Sequence, residues 1–143
     1  MTSKIAVIGF GNIAKAIITP LFDKKLLDPR DVYCLVNTKK SLENIRKNYE
    51  YDINIFQGNA KGSEVIWDCQ VKLLSVKPQQ LKNIVEPEKN KYDRNLLVSI
   101  LAGVSLEKLI KRFPNHKCIR VVTNIPITIG KGSTGIAWGD EIT

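Results

Sequence analysis

The sequence has little of what a metal or redox centre needs. Its one histidine, His116, and its three cysteines, Cys34, Cys69 and Cys118, stand far apart, and no C-x-x-C pair occurs. A disulfide framework, a zinc knuckle and a multi-histidine metal centre are excluded, and a Ser-His-Asp triad would have only His116 to use. No metal ligands are expected. No apolar run approaches the roughly 18–20 residues of a membrane span. Met1-Thr2-Ser3-Lys4 leads straight into apolar sequence, without the layout of a signal peptide. A soluble, cytoplasmic protein with no membrane partner is expected. Lysine is plentiful but never runs to five in a row. The basic-and-aromatic stripe of single-strand binders is missing as well. The net charge of +8, from 22 basic and 14 acidic residues, therefore reads as a basic solvated surface, and no nucleic-acid partner is expected.

What is present suits one globular domain. The chain has 143 residues, 43% of them hydrophobic and 25% charged, which excludes collagen, long disorder and a coiled coil. Apolar runs at residues 4–9 (KIAVIG), 32–36 (VYCLV), 54–56, 71–76 (VKLLSV), 96–100 (LLVSI) and 118–123 (CIRVVT) read as about six strands. Residues 135–138 are a candidate last short strand. Helical spacing appears between the runs: Ile13, Ile17, Ile18 and Leu21; Leu42, Ile45 and Tyr49; Leu81, Ile84 and Val85 after Pro78; and Leu106, Leu109, Ile110 and Phe113 behind Ser105 as N-cap. Strand-helix alternation with short connections predicts an α/β fold. It is Rossmann-like and doubly wound, with a mainly parallel sheet and helices on both faces. Pro20 sits inside the first helical pattern and should kink or shorten that helix.

Gly9-Phe10-Gly11-Asn12-Ile13-Ala14 is G-x-G-x-x-A, placed after a strand and opening a helix. The first glycine permits the tight turn, the second lets backbone approach a pyrophosphate, and alanine allows close helix–strand packing. The helix N-terminus then offers unpaired N–H groups to phosphate. Binders of NAD usually carry Asp or Glu at the end of the second strand, to hold the ribose 2′-OH. Here that end reads Val36-Asn37-Thr38-Lys39-Lys40, with neutral donors and two lysines. This favours NADP(H), with NAD(H) as the alternative. Three more turns follow later strands, where open α/β sheets bind ligands: Ser75-Val76-Lys77-Pro78-Gln79, Ile100-Leu101-Ala102-Gly103-Val104 and Thr123-Asn124-Ile125-Pro126.

Taken in order, GFGNIA, VKPQ, SILAGVSLEKL and RVVTNIPITIGKGST resemble the pyrroline-5-carboxylate reductase family over essentially the whole chain. The resemblance implies reduction of 1-pyrroline-5-carboxylate to L-proline with NADPH or NADH. It implies that Ile8, Gly9, Phe10, Gly11, Asn12 and Ile13 line the pyrophosphate turn. Asn37, Thr38 and Lys39 would face the adenosine 2′ position, and Asn59 the adenosine side. Ser75, Val76, Lys77 and Pro78, with Ile100, Leu101 and Ala102, would border the nicotinamide half. Asn124 would lie near the point of hydride departure. Ile125 and Lys15 depart from the family's usual residues. The family's chain continues into an all-helical domain that dimerises and supplies most of the substrate pocket. Residues 1–143 are thus expected to be the dinucleotide-binding domain alone, inactive by itself, and oligomeric only with the helical domain. The competing readings are a non-catalytic NADP-binding module and the cofactor domain of another β-hydroxyacid-dehydrogenase-like oxidoreductase.

No catalytic residue is expected in the chain, because a protonated C=N is already activated and positioning supplies much of the catalysis. His116, in a Pro-Asn-His turn entering a strand, is expected on the surface. The cysteines are expected as small core hydrophobes, with Tyr33 and Trp67 packing on the fold.

Overall fold

The computed structural model describes residues 3–58, 64–86, 95–123 and 134–139. Among these, seven strands form one sheet: β1 (Ile5–Ile8), β2 (Val32–Val36), β3 (Asn54–Gln57), β4 (Val71–Leu74), β5 (Leu96–Ser99), β6 (Lys117–Thr123) and β7 (Thr134–Trp138). Their order is β3-β2-β1-β4-β5-β6-β7. The first six run parallel, and β7 returns antiparallel along β6 with Ile136 opposite Val121. Beyond the six apolar runs, β7 is the last short strand expected at residues 135–138, begun one residue earlier, and it closes the far edge.

The helices are α1 (Asn12–Asp23), α2 (Lys39–Asn48), α3 (Val65–Asp68) and α4 (Leu106–Arg112), with a 3₁₀ segment at Pro78–Asn83. Strand side chains alternate between two cores. Val7, Cys34 and Leu73 pack with Ala14, Ile18 and Phe22 of α1 and Ile45 of α2. Ala6, Ile8, Leu74 and Leu97 pack with Ile66 of α3, Leu81, and Leu109 of α4 followed by Phe113. This is the Rossmann-like doubly wound arrangement that the alternating pattern predicts. The chain leaves β1 toward β2 on one side and comes back from β3 to β4 on the other. A crevice results at the carboxyl ends of β1 and β4, the topological switch point.

Several expectations change in detail. Pro20 does not shorten α1, which runs three residues beyond it to Asp23, with Lys24 N–H donating to the Pro20 carbonyl (3.0 Å). Pro20 and Ala16 are both partly exposed, and the proline costs the helix only the bond to the Ala16 carbonyl. The pattern after Pro78 becomes a 3₁₀ segment that buries Leu81 and leaves Val85 71% exposed. The four-residue α3 is too short to show a period.

The largest correction is His116. It is buried, its side chain fully covered, between the rings of Trp67 (5.7 Å) and Phe113 (6.2 Å) and against Glu86. A turn sequence suggests a surface position; these long-range partners pull the ring inside. Lys72, in the apolar run of β4, is also fully buried. Its Nζ donates to the Cys69 carbonyl (2.6 Å) and lies 6.0 Å from the Trp67 ring. The cysteines are core residues as expected, and burial pushes the Cys34 and Cys69 thiols up, away from nucleophilic use. Tyr33 stacks on Phe56, and both it and Trp67 pack against the core.

Candidate dinucleotide site

The crevice is built by backbone before any side chain is considered. Gly9 N–H donates to the Leu35 carbonyl, Ser75 N–H to Ile8 and Gly58 N–H to Val36, each at 2.8 Å. These bonds carry the sheet past its strands and fix the turns at its carboxyl edge. Gly9 has φ +85°, and a Cβ there would meet the Ser75 carbonyl oxygen at 2.8 Å and Val76 Cα at 2.9 Å. Only glycine allows this turn. Gly11 differs: a Cβ on it would meet nothing within 4 Å. Its surroundings are open at the point where a phosphate must come near the backbone.

Gly11 is also the N-cap of α1, and no side chain caps that end. Elsewhere Thr38 Oγ1 accepts Ser41 N–H (3.1 Å) to cap α2, and Ser105 Oγ accepts Lys108 N–H (3.2 Å) to cap α4. The first-turn N–H groups of Asn12, Ile13 and Ala14 thus have no intrahelical acceptor. Ile13 is 51% exposed beside them, an apolar surface at the mouth of the turn.

A recess of about 420 Å³ opens next to this turn. Ile8 and Gly9 of the β1 end, Leu35 to Asn37 of the β2 end, Gly58, Trp67, Val76, Gln80, Asn83, Ile84 and Val85 line it. The residues from α3 and the 3₁₀ segment were not anticipated; they reach the recess only through the fold. Gln80 is oriented by its Oε1, which accepts Lys77 N–H (3.2 Å).

The predicted residues divide by what they present. Ile8, Phe10 and Leu101 are buried, so only their backbone can face a ligand. Asn12, Ile13, Asn37, Thr38, Lys39, Lys77, Pro78 and Ala102 are exposed at the carboxyl edge, with Ser75, Val76 and Ile100 half-buried. Asn59 and Asn124 lie outside the described residues. Thr38 spends its hydroxyl as a cap, while Lys39 and Lys40 occupy the first turn of α2, where no acidic residue stands. Cations there oppose the helix dipole. Lys39 is partnered by Glu43 only at 3.9 Å, both side chains well exposed, a weak pair that leaves the ammonium free to meet an anion. These features fit a dinucleotide bearing a 2′-phosphate.

Residues 4–103 match the family described as NADP oxidoreductase, coenzyme F420-dependent. The chain belongs to this family. A pyrroline-5-carboxylate reductase from Synechocystis is 34% identical over 137 residues, covering 96% of this chain and 49% of the relative. Among solved structures, a pyrroline-5-carboxylate reductase from Coxiella burnetii covers all of this chain and 52% of its own (TM-score 0.76, 23% identity). A pyrroline carboxylate reductase from Plasmodium falciparum with NADP bound covers 99% of this chain and 50% of its own (TM-score 0.72, 20% identity). The chain thus spans about half the length of the curated relatives it matches. Membership in the NADP oxidoreductase family agrees with a phosphate turn between β1 and α1 and basic residues after β2. Among the described residues no helix is long and apolar enough to cross a membrane.

Proposed function

We propose that this chain is the NADP(H)-binding domain of a pyrroline-5-carboxylate reductase, which reduces 1-pyrroline-5-carboxylate to L-proline. The observation that carries the reading is the contrast at the first turn. Gly9 closes backbone onto Ser75, while Gly11 leaves open space in front of the uncapped start of α1. The relatives named above support the substrate.

The bound cofactor supplies the hydride. The N–H groups of residues 12–14 hold its pyrophosphate, and Asn37, Lys39 and Lys40 receive the adenosine 2′-phosphate. The Gln80–Val85 part of the recess encloses the adenosine. Ser75 to Pro78 and Ile100 to Ala102 border the nicotinamide half and keep water from one of its faces. No side chain of this chain is assigned a proton, since an imine protonated in solution needs mainly placement. On this reading residues 1–143 are one dinucleotide-binding domain. By the family resemblance, dimerisation and most of the substrate pocket belong to the helical domain, so residues 1–143 by themselves are expected to be inactive. The protein is placed in the cytoplasm, with a small-molecule substrate and no nucleic-acid or membrane partner.

Calorimetric titration with NADPH and NADH, followed by an assay for proline formed from 1-pyrroline-5-carboxylate, tests the reading. Saturable NADPH binding, tighter than NADH, is the expected result. Absence of NADPH binding at millimolar cofactor overturns it. Binding combined with no proline formation, even beside the helical half of a relative, favours a non-catalytic NADP module.

A further inference from the structure

Residues 84 and 85 form one wall of the recess without belonging to a helix or strand. The 3₁₀ segment ends at Asn83, and Val85 stands 71% exposed. A wall of this kind needs anchors, because ordering it during binding subtracts from affinity.

Two anchors are present, and both tie the wall to the corner between α4 and β6. Arg112, the last residue of α4, donates through Nη2 to the carbonyls of Lys82 (2.7 Å) and Ile84 (2.8 Å), and at longer range to Leu81 (3.4 Å). Glu86 follows the wall directly, and its carboxylate is only 7% exposed. Its Oε1 accepts Asn115 N–H (2.9 Å), and its Oε2 accepts His116 Nδ1–H (2.5 Å). These bonds engage charged groups and are stronger than neutral ones. Trp67 joins the two regions, since its ring packs on His116 and also lines the recess. The corner is rigid: Leu109, Phe113 and Cys118 are fully buried around it.

We infer that Arg112 and Glu86 are positioning residues of the recess. They hang residues 84 and 85 from the α4–β6 corner, so that this part of the lining, in the recess shared with Gly9 and Asn37, is in place before a ligand arrives. The ligand is the adenosine 2′-phosphate half of the dinucleotide, so the inference rests on the proposed cofactor reading. Neither side chain need touch the ligand. Each acts through backbone, by raising the population of the formed wall, and affinity falls in proportion to that population.

The test is calorimetric titration of 2′,5′-ADP into the chain and its Glu86→Ala, Glu86→Gln, Arg112→Ala and Arg112→Lys variants, well below their melting temperatures, with each melting temperature also recorded. Glu86→Ala and Arg112→Ala are expected to bind about 5–20-fold more weakly, in proportion to the loss of the formed wall. Glu86→Gln keeps one acceptor, for Asn115 N–H, and turns an amide N–H toward His116, whose neutral ring can accept it at Nδ1 in the other tautomer; it is expected to recover most of the affinity. Wild-type affinity in both alanine variants overturns the inference. So does a Glu86→Gln variant that binds as poorly as Glu86→Ala while its melting temperature is restored. Failure of the unaltered chain to bind 2′,5′-ADP is a different outcome and removes the cofactor reading itself. Should the alanine variants not fold, Arg112→Lys decides. It keeps the charge, but its ammonium stops one bond short of the Nη2 position from which Arg112 serves the carbonyls, and unchanged affinity there overturns the inference.

Discussion

A Cβ on Gly9 would lie 2.8 Å from the Ser75 carbonyl oxygen, so the ends of β1 and β4 meet backbone to backbone at a residue without a side chain. Gly9→Ala adds both a steric clash and a positive φ that alanine resists. Its expected cost is about 2–4 kcal/mol of stability. Gly11→Ala meets open space and should melt within a few degrees of wild type, yet bind NADPH at least tenfold more weakly. Thermal melts paired with calorimetry separate the two glycines; equal effects of the two substitutions on stability would contradict this account.

Lys39 and Lys40 crowd positive charge at the start of α2. Removing both as alanines relieves that dipole conflict and should leave stability unchanged or slightly raised. It should weaken NADPH by roughly 10-fold or more, in line with about 1.5–3 kcal/mol for a hydrogen bond to a charged group, while NADH affinity stays constant. A parallel loss for both cofactors would place the 2′-phosphate elsewhere.

Burial of Lys72 holds its ammonium down to about 8, from an ordinary 10.5, against the opposing pull of Cys69, Asp68 and Glu86. Between those values the unfolded chain binds more protons than the folded one, so this residue makes stability rise as pH climbs from about 8 toward 10. Above that range Tyr51, pushed up to about 12 mainly by its hydrogen bond to Asp23, acts in the opposite sense. The buried Cys34 and Cys69 thiols, pushed up from their ordinary values, oppose this over the same range, so the urea midpoint of wild type relative to Lys72→Met should rise between pH 8.0 and 9.5. An unchanged difference between the two would show that folding does not lower the proton affinity of Lys72.

His116 gives the complementary acid limb. Burial lowers its proton affinity, outweighing the Glu86 carboxylate that raises it. The folded chain keeps the ring neutral while the unfolded chain protonates it below the ordinary value of 6.5. Stability should fall as pH drops from 7 to 5, and less steeply in His116→Gln. Denaturant midpoints across that range measure the difference.

Pro20 leaves the Ala16 carbonyl without its helical partner. Pro20→Ala restores that bond and gives back some unfolded-state entropy, for a net gain of about 1–2 kcal/mol. The melting temperature should rise by about 4 °C. A fall would show that the proline ring's packing outweighs the missing bond.

The phosphate turn is readable in the sequence because its information is local: six consecutive residues set the turn, the helix start and the close packing. The strand runs are readable for the same reason, since doubly covered strands are apolar throughout. His116, Lys72 and the recess wall are not readable that way. Glu86 lies 30 residues from His116, and Arg112 lies 28 from Ile84. Nothing in the residues between signals that they meet. Lys72 even reads as a blemish in an apolar run, because the acceptor it finds is a backbone carbonyl, that of Cys69. Pro20 misleads in the other direction, since local rules cannot tell that a helix gains more from burying Ile18 and Phe22 than it loses at one bond.

The place of Trp67 has a practical result. The chain contains two tryptophans, and they report on different regions. Trp138 stands 58% exposed on the edge strand β7, while Trp67 lines the recess and leans on the buried His116. Indole emission overlaps the absorption of a reduced nicotinamide. With Trp138 replaced by phenylalanine, the remaining indole becomes an intrinsic optical donor at the edge of the site. It would register cofactor arrival through energy transfer and opening of the wall through its own red shift, with no added label.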